Sequence, residues 1–471
     1  MRILLSTPPV HPHQSYSLRY RRFPLLNLAL LAALVRERHE VRIVSHALRP
    51  WDDDALPKAA RAFRPDAVAF SLPSAVSALG LRDGIRRLRA AAPGVRVVAG
   101  GPFPSYDPAF CLDLGADVVF LGEADAVFPR WADDPDGTAS GPEPRDGLAW
   151  RAAGGGAIAG RRVIAEDLPA LPLPAWDLLP YRPEIYTRRK AAAVEASRGC
   201  PYACAFCAVH DFGKGYRPRP VARVLEELSA LKAAGFGELL FVDNSFAERE
   251  AGARELAEGM LRAGHGFEFG AYLRADAAVR GAETVRLLAR AGLRYAIVGF
   301  ESHGNRGLAA LNKGSGAETN LGAARALRGA GVFVIGSHIF GAPGETPEDA
   351  RRTYRVGVES SDLFKAGIFT PLPGSPLHDE LRRAGRIGGS DPLAFDYVHA
   401  SLGSPAERRR LQRLAAWLFL RYSLHPARLA KTLHPDPWTR RIFRAEYRGM
   451  AWRALLLLVG GARALRRRPA P

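Results

Sequence analysis

The chain has 471 residues, 47% apolar and 24% charged, with four cysteines and a net charge of +18. That length gives room for two or three domains with real cores, and so few cysteines exclude a disulfide framework. No apolar run reaches the roughly 18 residues a membrane span needs, and the run in "MRILLSTPP" is too short for a secretory signal. A cytoplasmic setting is expected.

Residues 1–130 alternate strand and helix signals. The β-branched runs "RILLS", "EVRIV", "DAVAFS", "VRVVAG" and "DVVFLG" are separated by helical patterns within 25–38, 54–63, 79–92 and 107–115. Five strands with helical crossovers predict a doubly wound parallel sheet, which takes ligands at the carboxyl ends of its strands. Those ends carry "STPPVHPHQ", "SLPSAV", "GGPFPS" and "GEAD". Residues 131–190 are turn-rich and proline-punctuated, as expected of a linker and a surface strap. From 191 to 390 the alternation resumes, with strands expected in "AAAVEAS", "ELLFVDN", "FEFGAYLRAD", "YAIVGFES", "VFVIGSHIF" and "FKAGIFTPL". Six βα units predict an incomplete (β/α)6 barrel with its chemistry at the carboxyl ends of the strands. Residues 391–471 are expected to be helical and basic; from 401 onward fifteen Arg and one Lys face three acids, which is +13 of the total charge.

Three of the four cysteines, Cys200, Cys204 and Cys207, fall in "SRGCPYACAFC", directly after the first barrel strand. A zinc site could recruit His210 as a fourth ligand, but structural zinc usually draws on two separated pairs. A redox pair Cys204–Cys207 leaves the third cysteine without a role. A four-iron cluster held by three thiolates keeps one iron open for another ligand, and spacing and position favour it.

The "CPYACAFC" segment resembles the C-x3-C-x-Φ-C signature of radical S-adenosylmethionine (SAM) enzymes, with Phe206 at the aromatic position. The N-terminal sheet and proline-rich strap resemble the subgroup with an N-terminal cobalamin-binding domain. The resemblance implies a [4Fe–4S] cluster on the three cysteines and SAM chelated to the open iron. Electron transfer would then cleave SAM to methionine and a 5′-deoxyadenosyl radical that abstracts hydrogen from carbon. It also implies site residues at successive strand ends. "FVDNSF" is similar to the segment that approaches the SAM amino group, through Asp243 and Asn244; relatives often have a second acid where this chain has Asn244. "YLRAD" supplies Arg274 for the SAM carboxylate, "GFES" supplies Glu301 for the ribose, and "GAPGET" places Gly341 near the adenine. The bland alternative for Arg274 and Glu301 is structural ion pairing at the barrel rim.

In the N-terminal domain, Gly100, Gly101, Gly122 and Glu123 match the cobalamin-domain pattern. The D-x-H-x-x-G signature is absent, Phe103 stands where relatives often have histidine, and His11 and His13 read as loop residues. Cys111 reads as an inert buried thiol. The implied activity is methyl transfer from cobalamin to an unactivated carbon of a small-molecule or lipid-like substrate. The alternatives are a radical oxidoreductase, cyclase or rearrangement enzyme, and a non-catalytic zinc-bearing RNA- or membrane-binding protein. The reaction implies an electron donor such as a flavodoxin or ferredoxin. The basic tail, with Trp417, Trp438 and Trp452, reads either as peripheral contact with a membrane or as a helical cap over the barrel; no nucleic acid is expected.

Overall fold

The structure is a computed structural model that describes residues 1–9, 25–46, 54–139, 141, 143–179, 189–212, 215–387 and 395–464, without the side chains of 138, 210, 211 and 451–464. His11, His13 and the side chains of His210 and Trp452 lie outside the described residues.

The first sheet contains β1 (Arg2–Ser6), β2 (Glu40–Val44), β3 (Ala67–Ser71), β4 (Arg96–Gly100) and β5 (Val118–Phe120), all parallel, in the order β2-β1-β3-β4-β5. The order reverses between β1 and β3, so the switch point of the sheet lies where Ser6, Ser71 and Gly100 end their strands. Such a point opens a crevice for a ligand. β1 and β3 are buried on both faces, which is why they read as unbroken apolar runs.

The expected linker holds more structure than its composition suggests. β6 (Leu148–Arg151) and β7 (Ala157–Ala159) extend the sheet antiparallel beyond β5. They are four and three residues long around a glycine turn, too short for an alternation signal. The following segment bridges Gly122 through Val163, sets Trp176 against Phe236 in a tilted contact at 6.2 Å between ring centroids and pairs Asp177 with Arg36 at 2.8 Å.

The second sheet is all parallel: β8 (Lys190–Val194), β11 (Phe236–Phe241), β12 (Glu268–Arg274), β13 (Leu293–Glu301), β14 (Phe333–Phe340) and β15 (Leu363–Ile368), adjacent in chain order. A two-residue hairpin, β9 (Ser197–Arg198) with β10 (Arg217–Pro218), closes the neck of the loop that carries the cysteines. Gly199 at that neck has φ +75°, and a Cβ there would overlap the Gly215 carbonyl, so only glycine fits.

One continuous core runs through both domains. Helix Leu26–Val35 is apolar except at Asn27, which donates to Ser71 at 2.6 Å, and is largely buried because it lies between the sheet and the barrel. At the other end Trp438 packs on Tyr295 (5.6 Å) and Phe333 (5.0 Å), residues that begin β13 and β14, so helix Pro437–Ala464 seals the amino-terminal mouth of the barrel. The start of this helix thus caps the barrel, one of the two alternatives read for the tail. Helix Pro405–Leu424, started by a Ser404–Glu407 capping box with Pro405 at its first position, lies along the edge strand β15. Its Tyr422 hydroxyl accepts from the Phe364 amide at 2.7 Å, covering a group that an edge strand would leave open.

Candidate active site

The cysteine loop sits at the carboxyl end of β8 and is held from three sides. Its Ala205 amide donates to Leu311 O (3.0 Å), Asn312 donates to Ala203 O (2.9 Å), and Leu377 donates to Ala205 O (2.8 Å). From the N-terminal domain, Tyr106 donates its hydroxyl to Ala208 O at 2.5 Å. Phe206 packs with Leu311, Phe369 and Leu377, so the aromatic position of the signature is a packing anchor for the loop.

Burial pushes the Cys207 thiol up to about 11 and raises Cys200 as well, so these sulfurs would ionise on binding metal, with release of protons. Three thiolates in one loop can each take a corner of a four-iron cube and leave the fourth open. The donor set and its spacing fit the cluster.

Arg274 ends β12 beside this loop. Its guanidinium donates to Cys204 Sγ (3.4 Å), Asp276 (2.9 Å) and Lys313 O (2.7 Å), and lies 3.5 Å from the Tyr202 ring centroid. It reaches a cysteine of the loop while tied into the rim ion pair with Asp276, as the structural expectation describes. Glu301 adopts φ +58°, a conformation costly for a residue with a side chain. It is buried against Lys313 at 3.0 Å. Rim pairing is thus observed for both residues, around the cluster loop.

Asp243 and Gly341 are both engaged by the chain itself. Asp243 does not face the barrel interior: its carboxylate accepts from the Ala196 amide (3.2 and 3.0 Å) and from the Ser197 hydroxyl (2.5 Å), fixing the end of β8. Side chains alternate along an extended segment, so Val242 and Asn244 line the interior instead. Gly341 (φ +77°) turns its open side to Leu411 of the C-terminal helix, and its amide donates to Glu345 at 3.1 Å, so this glycine is explained by packing.

The glycines of the first sheet are also used partly by the chain itself. Gly122 has φ +89°, and a Cβ would overlap the Val163 carbonyl. Gly100, Gly101 and Gly122 nonetheless line a cavity of about 410 Å³ between the carboxyl edge of the sheet and the barrel mouth. Its walls are mostly apolar, and Asn244, Tyr272 and Gly199 bring it to the barrel interior and the neck of the cysteine loop. A crevice at the switch point, glycine-floored and apolar, fits a flat macrocycle such as a corrin. Phe103 points away into the domain core against Phe110, and Cys111 is fully buried with its thiol pushed up to about 12, an inert group.

Glu123 has partners that sequence reasoning missed. Its carboxylate accepts from the Ala165 amide (2.8 Å) and pairs with Arg217 and with Arg198 (3.3 Å), the residues flanking the cysteine loop. Arg198 also pairs with Asp125 and with Glu195 (2.8 Å). Burial works against the Arg198 charge, but Glu195, Asp125 and Glu123 outweigh it and hold its pKa above the ordinary value. The "GEAD" turn of the first domain therefore clamps the base of the cluster loop in the second. Arg198, inside "SRGC", was the available signal; Lys313 had none beyond a glycine-flanked turn.

Two α/β units that present the ligand ends of parallel strands to one shared cavity, with a three-cysteine loop at its edge, define an enzyme core for two cofactors. Residues 20–132 match the B12 binding domain and residues 194–356 the Radical SAM superfamily. The chain is 28% identical over 426 residues to the hopanoid C-3 methylase of Methylococcus capsulatus, covering 83% of this chain and 75% of that one. It is 24% identical over 473 residues to an anaerobic magnesium-protoporphyrin IX monomethyl ester cyclase of Synechocystis sp., covering 97% and 91%. Its fold matches the radical SAM methyltransferase TsrM of Kitasatospora setae with a TM-score of 0.69 at 20% identity, covering 94% and 98%. The chain belongs to the radical SAM superfamily, in the subgroup with an N-terminal cobalamin-binding domain, and is an enzyme whose cofactors are a [4Fe–4S] cluster, SAM and cobalamin.

Proposed function

We propose that this enzyme transfers a methyl group to an unactivated carbon of an apolar, lipid-like small molecule. The observation that carries the reading is an apolar cavity that joins the carboxyl edge of the first sheet to the barrel mouth, so that both cofactor domains address one space. When bound, the cluster with SAM supplies radical chemistry and cobalamin carries the methyl group. Cys200, Cys204 and Cys207 would hold the cluster. Arg274 supports Cys204 with a charge-assisted donor, and the Glu301–Lys313 pair stiffens the adjacent turn. Asn244, exposed into the cavity, offers an amide to a mostly apolar wall. Leu30, Phe120 and Phe128 keep water from the reacting carbon.

A one-electron carrier such as a flavodoxin or ferredoxin would reduce the cluster. Among the described residues no helix is long and apolar enough to cross a membrane. The hopanoid methylase likeness supports methyl transfer to such a substrate. The cyclase likeness supports a second reading, radical oxidation or ring closure without methyl transfer.

The two separate in one anaerobic experiment on the reconstituted holoenzyme with reductant and SAM. S-adenosylhomocysteine formed together with 5′-deoxyadenosine is the result expected for methyl transfer. 5′-Deoxyadenosine alone, with cobalamin bound and reduced, overturns it in favour of the second reading.

A further inference from the structure

We infer that the outer face of helix Pro405–Leu424, with the turn that follows it, is a docking surface for an anionic lipid bilayer. The inference borrows from the lipid-like substrate only a reason for such a surface; its geometry and its test stand apart from the reaction.

The helix has two faces with opposite fates. Leu411, Leu414, Ala415, Leu418 and Tyr422 pack inward on Phe340, Tyr354 and Phe364. The opposite stripe, at spacings of three and four, is Arg410, Arg413, Trp417, Leu420 and Leu424. Trp417 is 51% exposed, Leu420 55% and Leu424 61%, and Leu433 beyond the helix is 74% exposed. Because the inner face is anchored, these side chains are held outward by a packed helix. They do not stand out because the segment lacks a core.

The stripe is divided by chemistry. Its amino-terminal half carries Arg409, Arg410 and Arg413, which form no ion pair among the described residues. Its carboxyl half is the Trp–Leu–Leu patch, with the Arg421 guanidinium 5.4 Å from the Trp417 ring centroid. The single acid of the helix, Glu407, is occupied in the capping box. The basic end starts beside Gly341, at the carboxyl end of β14, which is the end of the barrel where the cavity opens.

Apolar residues with an aromatic at the boundary and unpaired arginines around them suit a headgroup layer, which takes the leucines below and phosphates beside the guanidiniums. A second copy of the chain suits it less, because a two-fold interface would set these arginines against one another. Single-stranded nucleic acid would use stacking aromatics where this stripe has leucines.

The test uses the purified full chain, sedimented with vesicles of phosphatidylglycerol and phosphatidylcholine or of phosphatidylcholine alone. We expect binding to the anionic vesicles that weakens as salt is raised. Trp417→Ser with Leu420→Ser and Leu424→Ser should reduce it roughly tenfold or more, and Arg409→Gln with Arg410→Gln and Arg413→Gln should abolish the preference for anionic lipid. Both sets should leave lipid-free formation of 5′-deoxyadenosine unchanged, showing that the fold and the cluster site are intact whichever reaction the enzyme performs. Vesicle binding equal in wild type and both variants overturns the inference. So does a dimer in light scattering that the leucine substitutions dissolve, because the face would then belong to a second copy.

Discussion

The two α/β regions share one construction rule and use it for opposite ends. In the first sheet the strand ends are shaped by backbone: Gly101 and Gly122 adopt left-handed φ values and let Leu72 and Val163 approach closely. In the barrel the strand ends carry buried charge: Arg274 with Asp276, Glu301 with Lys313, and Asp243 under the end of β8. A sheet that offers shape suits a large flat cofactor, whereas fixed charges suit a small zwitterion and an iron–sulfur loop. The regions meet where Glu123 and Asp125 cross to Arg198 and Arg217, so the shape-giving domain also braces the charged one.

The sharpest break of this comparison is at the cysteines. Replacing Cys200, Cys204 or Cys207 by alanine should abolish the cluster and reduce SAM cleavage to background, a loss of roughly 1,000-fold or more. Cobalamin retention should stay unchanged, and iron content read with the visible spectrum of bound cobalamin checks both halves. If cobalamin were lost as well, the domains would not be separable in this way.

Next in size is Glu123→Ala. It leaves Arg217 without its carboxylate while Arg198 keeps Asp125 and Glu195, and removing one partner of such a buried pair costs about 3–5 kcal/mol. A lower thermal midpoint together with poorer cluster reconstitution is expected, and Glu123→Gln should fall between it and wild type.

Gly122→Ala tests the shape side alone. The residue would need φ +89° with its Cβ against the Val163 carbonyl, a strain of about 1–3 kcal/mol. Weaker cobalamin retention with normal iron content is the outcome that sharpens the contrast; a cluster defect would blur it.

The smallest effect concerns pH. Burial raises Asp243 to about 7, against an unfolded carboxyl near about 4. Between those values the folded chain holds a proton that the unfolded chain has released, so this residue's contribution falls as pH rises from about 4 to about 7. Asp243→Asn should flatten that part of the wild-type stability profile, measured as thermal midpoint against pH, and should stabilise the chain most near neutrality.

Local sequence by itself determined the eleven parallel strands and the cysteine loop, because β-branched runs and close ligand spacing are properties of a few consecutive residues. The family resemblance marked Arg274 and Glu301, which sit at strand ends inside short motifs. Only tertiary structure decided that Asp243 faces outward and Asn244 inward, that Gly341 serves Leu411, and that Glu123 reaches Arg198 and Arg217 across 75 and 94 positions. The β6–β7 hairpin belongs with these, since its seven residues become strands through pairing with β5. Periodicity reports which face of an element is apolar. Which partner then occupies a face, or meets a buried charge, is set by packing between segments far apart in the chain.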